Sequence, residues 1–360
     1  MSFEIPKTYK AAVYDNPGQI STHIEDLPTP EPGPGEVLVR LTHSGVCHSD
    51  LSIMRCGWAG LPPTPQGQVG GHEGIGIVQK LGAGAEKNVK LGDRVGIKWA
   101  AAMCEKCGPC RNGYDGHCVL KKFSGYYTPG TFAQYAIAQA NYVTPIPSNI
   151  DSIDAAPMLC AGLTVYTALL KANAKPGDWV AVSGAGGGLG HIALQIGSRG
   201  MNFRMIGIDH PSKSSLITSC GAEVFVDMTS FDDAGIAEEI KRITDGEGAK
   251  AVIVCAGSNR AYGQALGMVG FGGTVVCVGI PEGEPALVGG AYPGAMLTQQ
   301  KSIVGSSLGS QKEAVEVLEL AAKGVVKTKI RVEKLEKLTE VFQEMADGKM
   351  EGRVVIDLQY

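Results

Sequence analysis

The sequence feature that most constrains the fold is an alternation of apolar strands with helical stretches after about residue 161. Nearly continuous apolar runs, such as Trp179–Ser183, Val224–Asp227 and Ala251–Ala256, are separated by stretches long enough for a helix. Runs of this kind are typical of parallel strands that are buried on both faces. We therefore predict a doubly wound α/β domain over residues 161–308.

The first 160 residues have a different pattern. Short β-rich runs, among them Ala11–Tyr14, Glu36–Leu41 and Gly74–Leu81, are broken by turns rich in proline and glycine. Such spacing predicts an antiparallel, barrel-like domain. After Gln311 the chain has two amphipathic helical patterns and a closing strand at Arg353–Asp357. Spacing alone leaves open whether this tail extends the second domain or returns to the first.

Composition excludes several classes of protein. A length of 360 residues fits about two domains, and a net charge of -4 without a Lys/Arg block gives no electrostatic case for nucleic acid or an anionic membrane. The apolar runs are shorter than the ~18 residues of a membrane span, and Met1–Pro6 lacks signal-peptide features. We expect a cytoplasmic protein, where ten cysteines are more often metal ligands or catalytic groups than disulfides.

A glycine-rich turn follows the strand at Trp179–Ser183, and a helix is expected from about Gly188. Its residues are Gly184, Gly186, Gly187, Gly188, Leu189 and Gly190. Such a turn lets a pyrophosphate approach backbone N–H groups at a helix start. Asp209, 19 residues beyond Gly190, ends the next strand, where a carboxylate accepts from ribose hydroxyls and repels a 2′-phosphate. NAD is therefore preferred over NADP, although the turn is one residue longer than G-x-G-x-x-G, which leaves the phosphate-contacting glycine open.

Four cysteines form a C-x2-C-x2-C-x7-C pattern: Cys104, Cys107, Cys110 and Cys118. Four thiolates from one loop can enclose Zn²⁺ without an open position, so such a site is structural. An iron–sulfur cluster or buried free thiols are the alternatives, and the x7 spacing favours zinc.

A second set of possible ligands is dispersed: Cys47, His72 and Cys160. Each alone is more readily explained as a buried thiol or a hydrogen-bonded histidine. Together they provide two sulfurs and one imidazole, which is the ligand set of a catalytic zinc with a position left for water or substrate.

These motifs together resemble the zinc-dependent medium-chain alcohol dehydrogenases, most closely the yeast and fungal tetrameric branch. The motifs that carry the resemblance are Gly45–Asp50, Gly70–Gly74, the four-cysteine loop, Leu159–Tyr166, the glycine-rich turn and Gly352–Val355. The resemblance implies a GroES-like β-barrel catalytic domain over 1–160 and 309–360, and a Rossmann domain over 161–308. It also implies an active site between the two domains, two zinc ions per chain, NAD(H) and a homotetramer.

The resemblance assigns roles to individual residues. Cys47, His72 and Cys160 would hold the catalytic zinc, and Asp50 would hydrogen-bond the ring of His72. The other expected catalytic residues are His48, Ser49 and Glu73, of which Glu73 would lie behind the zinc. The expected cofactor contacts outside the glycine-rich turn are His48 and Arg353 at the pyrophosphate, Asp209 and Lys213 at the ribose, Thr164 at the nicotinamide, and Val278. A solvated lysine remains an equal alternative for Lys213.

The resemblance also implies the reaction. Zinc would acidify an alcohol, hydride would pass to the nicotinamide, and Ser49 would accept the proton. Many relatives continue this relay through a histidine where this chain has Ser52, so we predict proton release through Ser49, the ribose and solvent. Trp58 and Trp99 would line a pocket for small primary alcohols or aldehydes, unless they are ordinary core aromatics. Because the segment between them departs from the yeast pattern, a secondary alcohol dehydrogenase or ketone reductase is the alternative, and a non-catalytic nucleotide-binding protein is a more distant one.

Overall fold

The computed structural model describes residues 4–284 and 286–359. The chain divides into two compact units. The first unit comprises Met1–Leu163, Leu308–Ala322 and Thr328–Tyr360, and the second comprises Thr164–Ser307 and Lys323–Lys327. The predicted boundaries, after residues 160 and 308, differ from these by three residues and one residue. The prediction also placed residues 323–327 in the first domain, whereas the structure groups them with the second unit.

The strands are β1 (Thr8–Tyr14), β2 (His23–Pro28), β3 (Glu36–Val46), β4 (Gln68–Val69), β5 (Gly74–Leu81), β6 (Arg94–Ile97), β7 (Phe123–Ser124), β8 (Tyr127–Thr128), β9 (Tyr135–Gln139), β10 (Thr144–Pro145), β11 (Trp179–Ser183), β12 (Arg204–Asp209), β13 (Val224–Asp227), β14 (Ala249–Val254), β15 (Val269–Cys277), β16 (Ser302–Gly305), β17 (Ile330–Lys334) and β18 (Arg353–Asp357). The α-helices are α1 (His48–Met54), α2 (Gly108–Arg111), α3 (Ser152–Ala155), α4 (Ala161–Lys171), α5 (Gly190–Gln195), α6 (Ser214–Ser219), α7 (Gly235–Ile243), α8 (Asn259–Met268), α9 (Pro293–Gln299), α10 (Gln311–Ala322) and α11 (Leu338–Ala346).

The second unit is built on a parallel sheet with the strand order β13-β12-β11-β14-β15-β16. Every neighbouring pair in it is parallel, so helices must cross between consecutive strands. The strand order reverses between β11 and β14, and ligands of such sheets bind at this switch point beyond the carboxyl ends of the strands. The glycine-rich turn follows β11 and therefore lies there. The predicted doubly wound sheet is confirmed.

The first unit is organised around β3, the longest strand in the described ranges. β3 pairs antiparallel with β5, β9 and β18, and it is irregular at Leu38/Val39 and Leu41/His43 against β5. Such irregularities bend a strand and help a sheet to curl towards a barrel. The predicted antiparallel, barrel-like domain is confirmed. The described residues of this unit also form two parallel pairs, β17 with β18 at the edge of the main sheet and the short pair of β7 with β8.

The tail returns to the first unit. β18 lies between β3 and β17, with Val355 opposite Gly45 in the register. All five residues of β18 except Asp357 are buried. An apolar strand of this kind buries most apolar surface by completing an open sheet. The closing strand therefore belongs to the first unit and does not extend the sheet of the second.

No single helix in the described ranges is long and apolar enough to cross a membrane; the consecutive helical segments Ser152–Leu159 and Ala161–Lys171 pass that test only as a bent pair, by length and composition.

Candidate metal centre and dinucleotide site

The dispersed ligand set converges within the first unit. Cys47 follows β3, His72 lies between β4 and β5, and Cys160 precedes α4. The Sγ atoms of Cys47 and Cys160 are 4.0 Å apart, and Nε2 of His72 is 3.3 Å from Sγ of Cys160. Ligands of a tetrahedral zinc lie about 3.5–3.8 Å from one another, given bond lengths near 2.0–2.3 Å. The three side chains therefore fit a zinc ion, and all three are buried.

Asp50 fixes the geometry of two of these residues. Its Oδ1 lies 2.8 Å from Nδ1 of His72, and its Oδ2 accepts from the backbone N–H of Cys47 at 2.9 Å. Because a carboxylate only accepts, Nδ1 carries the ring proton and Nε2 keeps a lone pair for a metal. The contact that the resemblance implied for Asp50 is present in the structure.

The charges around this centre favour a cation. A hydrogen bond from Cys160 holds the pKa of Cys47 well below its ordinary range, while giving that bond raises the pKa of Cys160. Burial alone would lower the pKa of His72, but Asp50 and Cys47 raise it well above its ordinary value. A buried cluster with this much negative charge is stabilised by a positive ion at its centre.

Glu73 lies in the same group of possible ligands, with a buried cation as its partner. Glu73 is 0% exposed and Arg353 is 5% exposed, and the guanidinium of Arg353 donates to Oε1 of Glu73. Burial raises the pKa of Glu73 to about 7, although Arg353 opposes the shift. Oε2 of Glu73 has no hydrogen-bond partner among the described residues, and a Cβ at Gly45 would lie 1.9 Å from it.

Arg353 and His48 were both expected at the cofactor pyrophosphate. The structure buries Arg353 against Glu73, whereas His48 begins α1 and is exposed. Ser49, the expected proton acceptor, is half-buried on the same helix, and Ser52 is buried one turn later with 1% exposure. Sequence reasoning missed the pairing of Arg353 with Glu73, because 280 residues separate the two and no local pattern connects them.

Two tryptophans lie beside the metal ligands. The ring of Trp99 is 5.0 Å from the ring of His72 in an edge-to-face arrangement, and the ring of Trp58 is 6.3 Å from that of Trp99. Both are half-buried and pack on the core of the first unit. The two predictions for these tryptophans, that they line a pocket and that they are core aromatics, are therefore compatible.

The four-cysteine loop brings its thiols into one cluster, with all four Sγ atoms within 4.8 Å of one another. Backbone N–H groups of Cys110 and Val119 lower the pKa of Cys107 to about 6, while burial raises the pKa of Cys110 to about 12. A cage of four sulfurs at these spacings suits a closed tetrahedral zinc site.

A polar network that sequence reasoning missed ties this loop to the rest of the first unit. Asp115 of the loop accepts from the Tyr142 hydroxyl at 2.7 Å and from the backbone N–H of Gln311 at 2.8 Å. The buried ammonium of Lys98 lies 3.6 Å from the Tyr142 ring centre and donates to the Tyr142 carbonyl at 2.9 Å. Burial lowers the pKa of Lys98 to about 7. In the sequence, this network is indicated only by the position of Asp115 between Cys110 and Cys118.

The glycine-rich turn in the second unit fits a dinucleotide. Gly184 has a φ of +78°, and a Cβ on Gly190 would lie 2.2 Å from the carbonyl oxygen of Gly184, so both positions require glycine. Gly187, Gly188 and Leu189 complete the turn, and α5 begins at Gly190 instead of at about Gly188.

The expected ribose contacts lie beside this turn. Asp209 ends β12, and its Oδ2 accepts from the backbone N–H of Gly186 at 2.8 Å. Nζ of Lys213 is 4.0 Å from Oδ1 of Asp209. Val278 follows β15 at the same edge of the sheet, and Thr164 is half-buried in α4. Asp209 and the turn are thus in contact.

Comparison with known families matches both units. The family described as "Alcohol dehydrogenase GroES-like domain" matches residues 33–148, and "Zinc-binding dehydrogenase" matches residues 188–323. The chain is 55% identical over 362 residues to "Alcohol dehydrogenase 2" of Emericella nidulans, covering 99% of both chains. It is 41% identical to "Alcohol dehydrogenase" of a Moraxella species, covering 97% of this chain and 99% of the relative.

Solved structures agree with these families. The alcohol dehydrogenase of Aeropyrum pernix is 29% identical, with a TM-score of 0.86, and covers 97% of this chain and 99% of its own. The acetophenone reductase of Geotrichum candidum, solved in complex with NAD, is 28% identical, with a TM-score of 0.85, and covers 99% of this chain and 98% of its own. The relatives at 41–55% identity are alcohol dehydrogenases, so the ketone reductase alternative is not favoured.

Proposed function

Because the chain belongs to the zinc-type medium-chain alcohol dehydrogenases and carries out NAD-linked alcohol oxidoreduction, we propose that its substrates are small primary alcohols and their aldehydes. The observation that carries the proposal is the convergence of Cys47, His72 and Cys160, with Asp50 holding the histidine ring.

The proposed catalytic metal centre has three protein ligands. Cys47, His72 and Cys160 would hold zinc, which would supply the Lewis acidity that acidifies an alcohol. Asp50 keeps the ring proton on Nδ1 of His72 and so keeps Nε2 available. Glu73 lies behind the ligands, and Arg353 balances its charge.

The proton of the alcohol leaves through Ser49 in this proposal. Ser49 lies two residues after Cys47 and is half-buried, so it is neither enclosed in the core nor fully in solvent. Ser52 is buried and carries no group that takes up a proton near pH 7, which supports release through the cofactor ribose and solvent. His48, exposed at the start of α1, contacts the pyrophosphate in the proposal, as does Arg353.

NAD supplies the hydride acceptor in the second unit. The backbone of Gly184 to Gly190 would hold the pyrophosphate, and Asp209, which lies at this turn through its contact with Gly186, would accept from the ribose hydroxyls. Lys213 would contact the ribose, Thr164 would contact the nicotinamide, and Val278 would be a further cofactor contact. The carboxylate of Asp209 disfavours a 2′-phosphate, because two negative groups would meet at low exposure to water.

A second zinc in the four-cysteine loop is structural in the proposal. Its free energy of binding orders a loop that has little apolar content, since metal binding and folding are coupled at such sites. Trp58 and Trp99 restrict the alcohol to a small one, because Trp99 lies edge-to-face against His72 and Trp58 lies edge-to-face against Trp99.

We also propose a cytoplasmic homotetramer. The ten cysteines, all within the described ranges, form no disulfide, as expected in a reducing compartment. Large apolar side chains are exposed in the second unit, among them Phe271, Leu287 and Leu297. Exposed apolar groups of this size favour association with further copies of the chain, which light scattering of the purified protein measures.

One experiment tests the function directly. We expect purified protein to contain two zinc ions per chain and to reduce NAD with ethanol faster than with 2-propanol. Cys160→Ser should retain one zinc and lose activity, whereas Cys220→Ser, a buried thiol outside both clusters, should retain both. A native protein that holds two zinc ions but oxidises neither alcohol would overturn the proposal.

A further inference from the structure

The segment that carries Trp58 has no regular secondary structure of its own. Between α1 and β4 the chain runs from Arg55 to Gly67 without a helix or strand, all within the described ranges. Three prolines, Pro62, Pro63 and Pro65, lack the N–H groups that could form backbone hydrogen bonds within it. Backbone hydrogen bonds hold the start of the segment, since Gly57 donates to Ser52 at 2.8 Å and Leu61 donates to Trp58 at 3.4 Å. Beyond Leu61 the position of the segment depends on contacts from other parts of the chain.

Two tyrosine hydroxyls provide those contacts. The hydroxyl of Tyr126 donates to the carbonyl oxygen of Pro62 at 2.6 Å, and that of Tyr127 donates to the carbonyl oxygen of Pro63 at 2.7 Å. The following residue, Thr64, donates its hydroxyl to the carbonyl of Ile53 in α1 at 2.6 Å. The two prolines are exposed, so the tyrosines hold the outer end of the segment.

Tyr126 and Tyr127 belong to the turn of residues 123–128, which is also anchored to Trp99. The backbone N–H of Ser124 donates to the carbonyl oxygen of Trp99 at 3.0 Å. The ring of Phe123 lies 5.1 Å from that of Trp99 and 6.4 Å from that of Tyr126. Through the turn of residues 123–128, Trp99, which follows the end of β6, is connected to the segment that carries Trp58.

We propose that Tyr126 and Tyr127 are positioning residues that set the size of the alcohol by holding Trp58 against Trp99. The inference rests on the proposed function, in which the two tryptophans form the wall beside His72. Among the described residues, no hydrogen bond or ring contact joins either tyrosine to a metal ligand, so their effect is on the separation of the two tryptophans. Loss of the hydroxyls lets the segment from Gly57 to Leu61 move outward and widens the site.

The variants should fold, because each change removes only a hydroxyl and the two prolines that lose its hydrogen bond are exposed residues. Loss of one such hydrogen bond shifts an equilibrium by about 2- to 12-fold. We therefore expect the pair Tyr126→Phe and Tyr127→Phe to raise the kcat/KM ratio of benzyl alcohol to ethanol about tenfold. The KM of ethanol should rise, while its kcat should stay within about twofold, since the ligands do not change. Tyr292→Phe, at a tyrosine that is 67% exposed in the second unit, is the control.

A second readout is independent of activity. In a Trp179→Phe background, with excitation at the red edge of the absorption where tyrosine does not absorb, only Trp58 and Trp99 fluoresce, because the chain has three tryptophans. We expect the double tyrosine variant to be quenched by acrylamide about two- to threefold more strongly than the same background with Tyr292→Phe. Unchanged quenching, or an unchanged ratio of the two alcohols, would overturn the inference. If the double variant does not fold, Tyr127→Phe alone decides, since Tyr127 is 56% exposed. A native protein without alcohol activity would refute the proposed function, and the quenching would still decide whether the tyrosines hold Trp58.

Discussion

Replacing Asp50 with asparagine should damage either the metal centre or the start of α1, because both carboxylate oxygens accept hydrogen bonds. Oδ1 accepts from Nδ1 of His72, and Oδ2 accepts from the backbone N–H of Cys47. Asparagine offers one acceptor, so its NH₂ group must face one of these two donors. Asp50 is buried, and water cannot compensate for the mismatch.

The size of the effect follows from this geometry. A buried donor without an acceptor costs about 1–3 kcal/mol, which corresponds to about 5- to 150-fold in an equilibrium constant. If the amide oxygen faces His72, the loss falls on the stability of the apoprotein. If the NH₂ group faces His72, the ring proton moves to Nε2, and the loss falls on zinc affinity, where losses of about 10- to 100-fold are typical for such partners.

Two measurements together test this prediction. Competition with a chelator gives the affinity for the more weakly bound zinc, and urea unfolding of the apoprotein gives its free energy of unfolding. The control is Asp93→Asn, since Asp93 accepts from the backbone N–H of Lys90 through Oδ2 at an exposed turn, where water can replace the lost acceptor. An Asp50→Asn protein that matches the control in both measurements would show that the two hydrogen bonds do not hold the site together.

Three further predictions follow. Asp209→Asn keeps an acceptor for Gly186 but removes the negative charge, so the kcat/KM ratio of NADP to NAD should rise about tenfold; an unchanged ratio would remove Asp209 from the ribose site. Between pH 7 and about 10 the unfolded chain binds a proton at residue 98 that the folded protein, in which the pKa of Lys98 is about 7, does not, so the free energy of unfolding rises with pH. Lys98→Met should reduce this rise. Urea titrations at pH 7.5 and 9.5 that give the same change in free energy of unfolding for both proteins would contradict the prediction. Ser52→His should raise turnover below pH 7 by adding an imidazole to the relay, and an identical pH–rate profile would argue against a relay at this position.

The local parts of the fold were readable from the sequence. β11 and β13 have the predicted bounds, because continuous apolar runs flanked by turns define buried strands. The start of α5 was placed two residues early, since glycines in a tight turn give no periodicity. β17 was missed because its residues are largely exposed and polar.

The candidate site was readable only where ligand chemistry marks a residue. Cys47, His72 and Cys160 could be grouped by ligand type and resemblance, and the structure brings them together. The contacts of Tyr126 with Pro62, and of Arg353 with Glu73, could not be predicted. They join distant parts of the chain and depend on the fold itself.

The place of β18 in the first sheet has a consequence for synthesis on the ribosome. β18 lies between β3 and β17, so the barrel that begins with the earliest residues stays open until residues after 350 have been translated. Residues 164–307 can meanwhile fold as a unit, because domains generally fold as they emerge. During this interval Glu73 lacks its guanidinium partner, and the nascent first unit exposes a strand edge that a chaperone can protect.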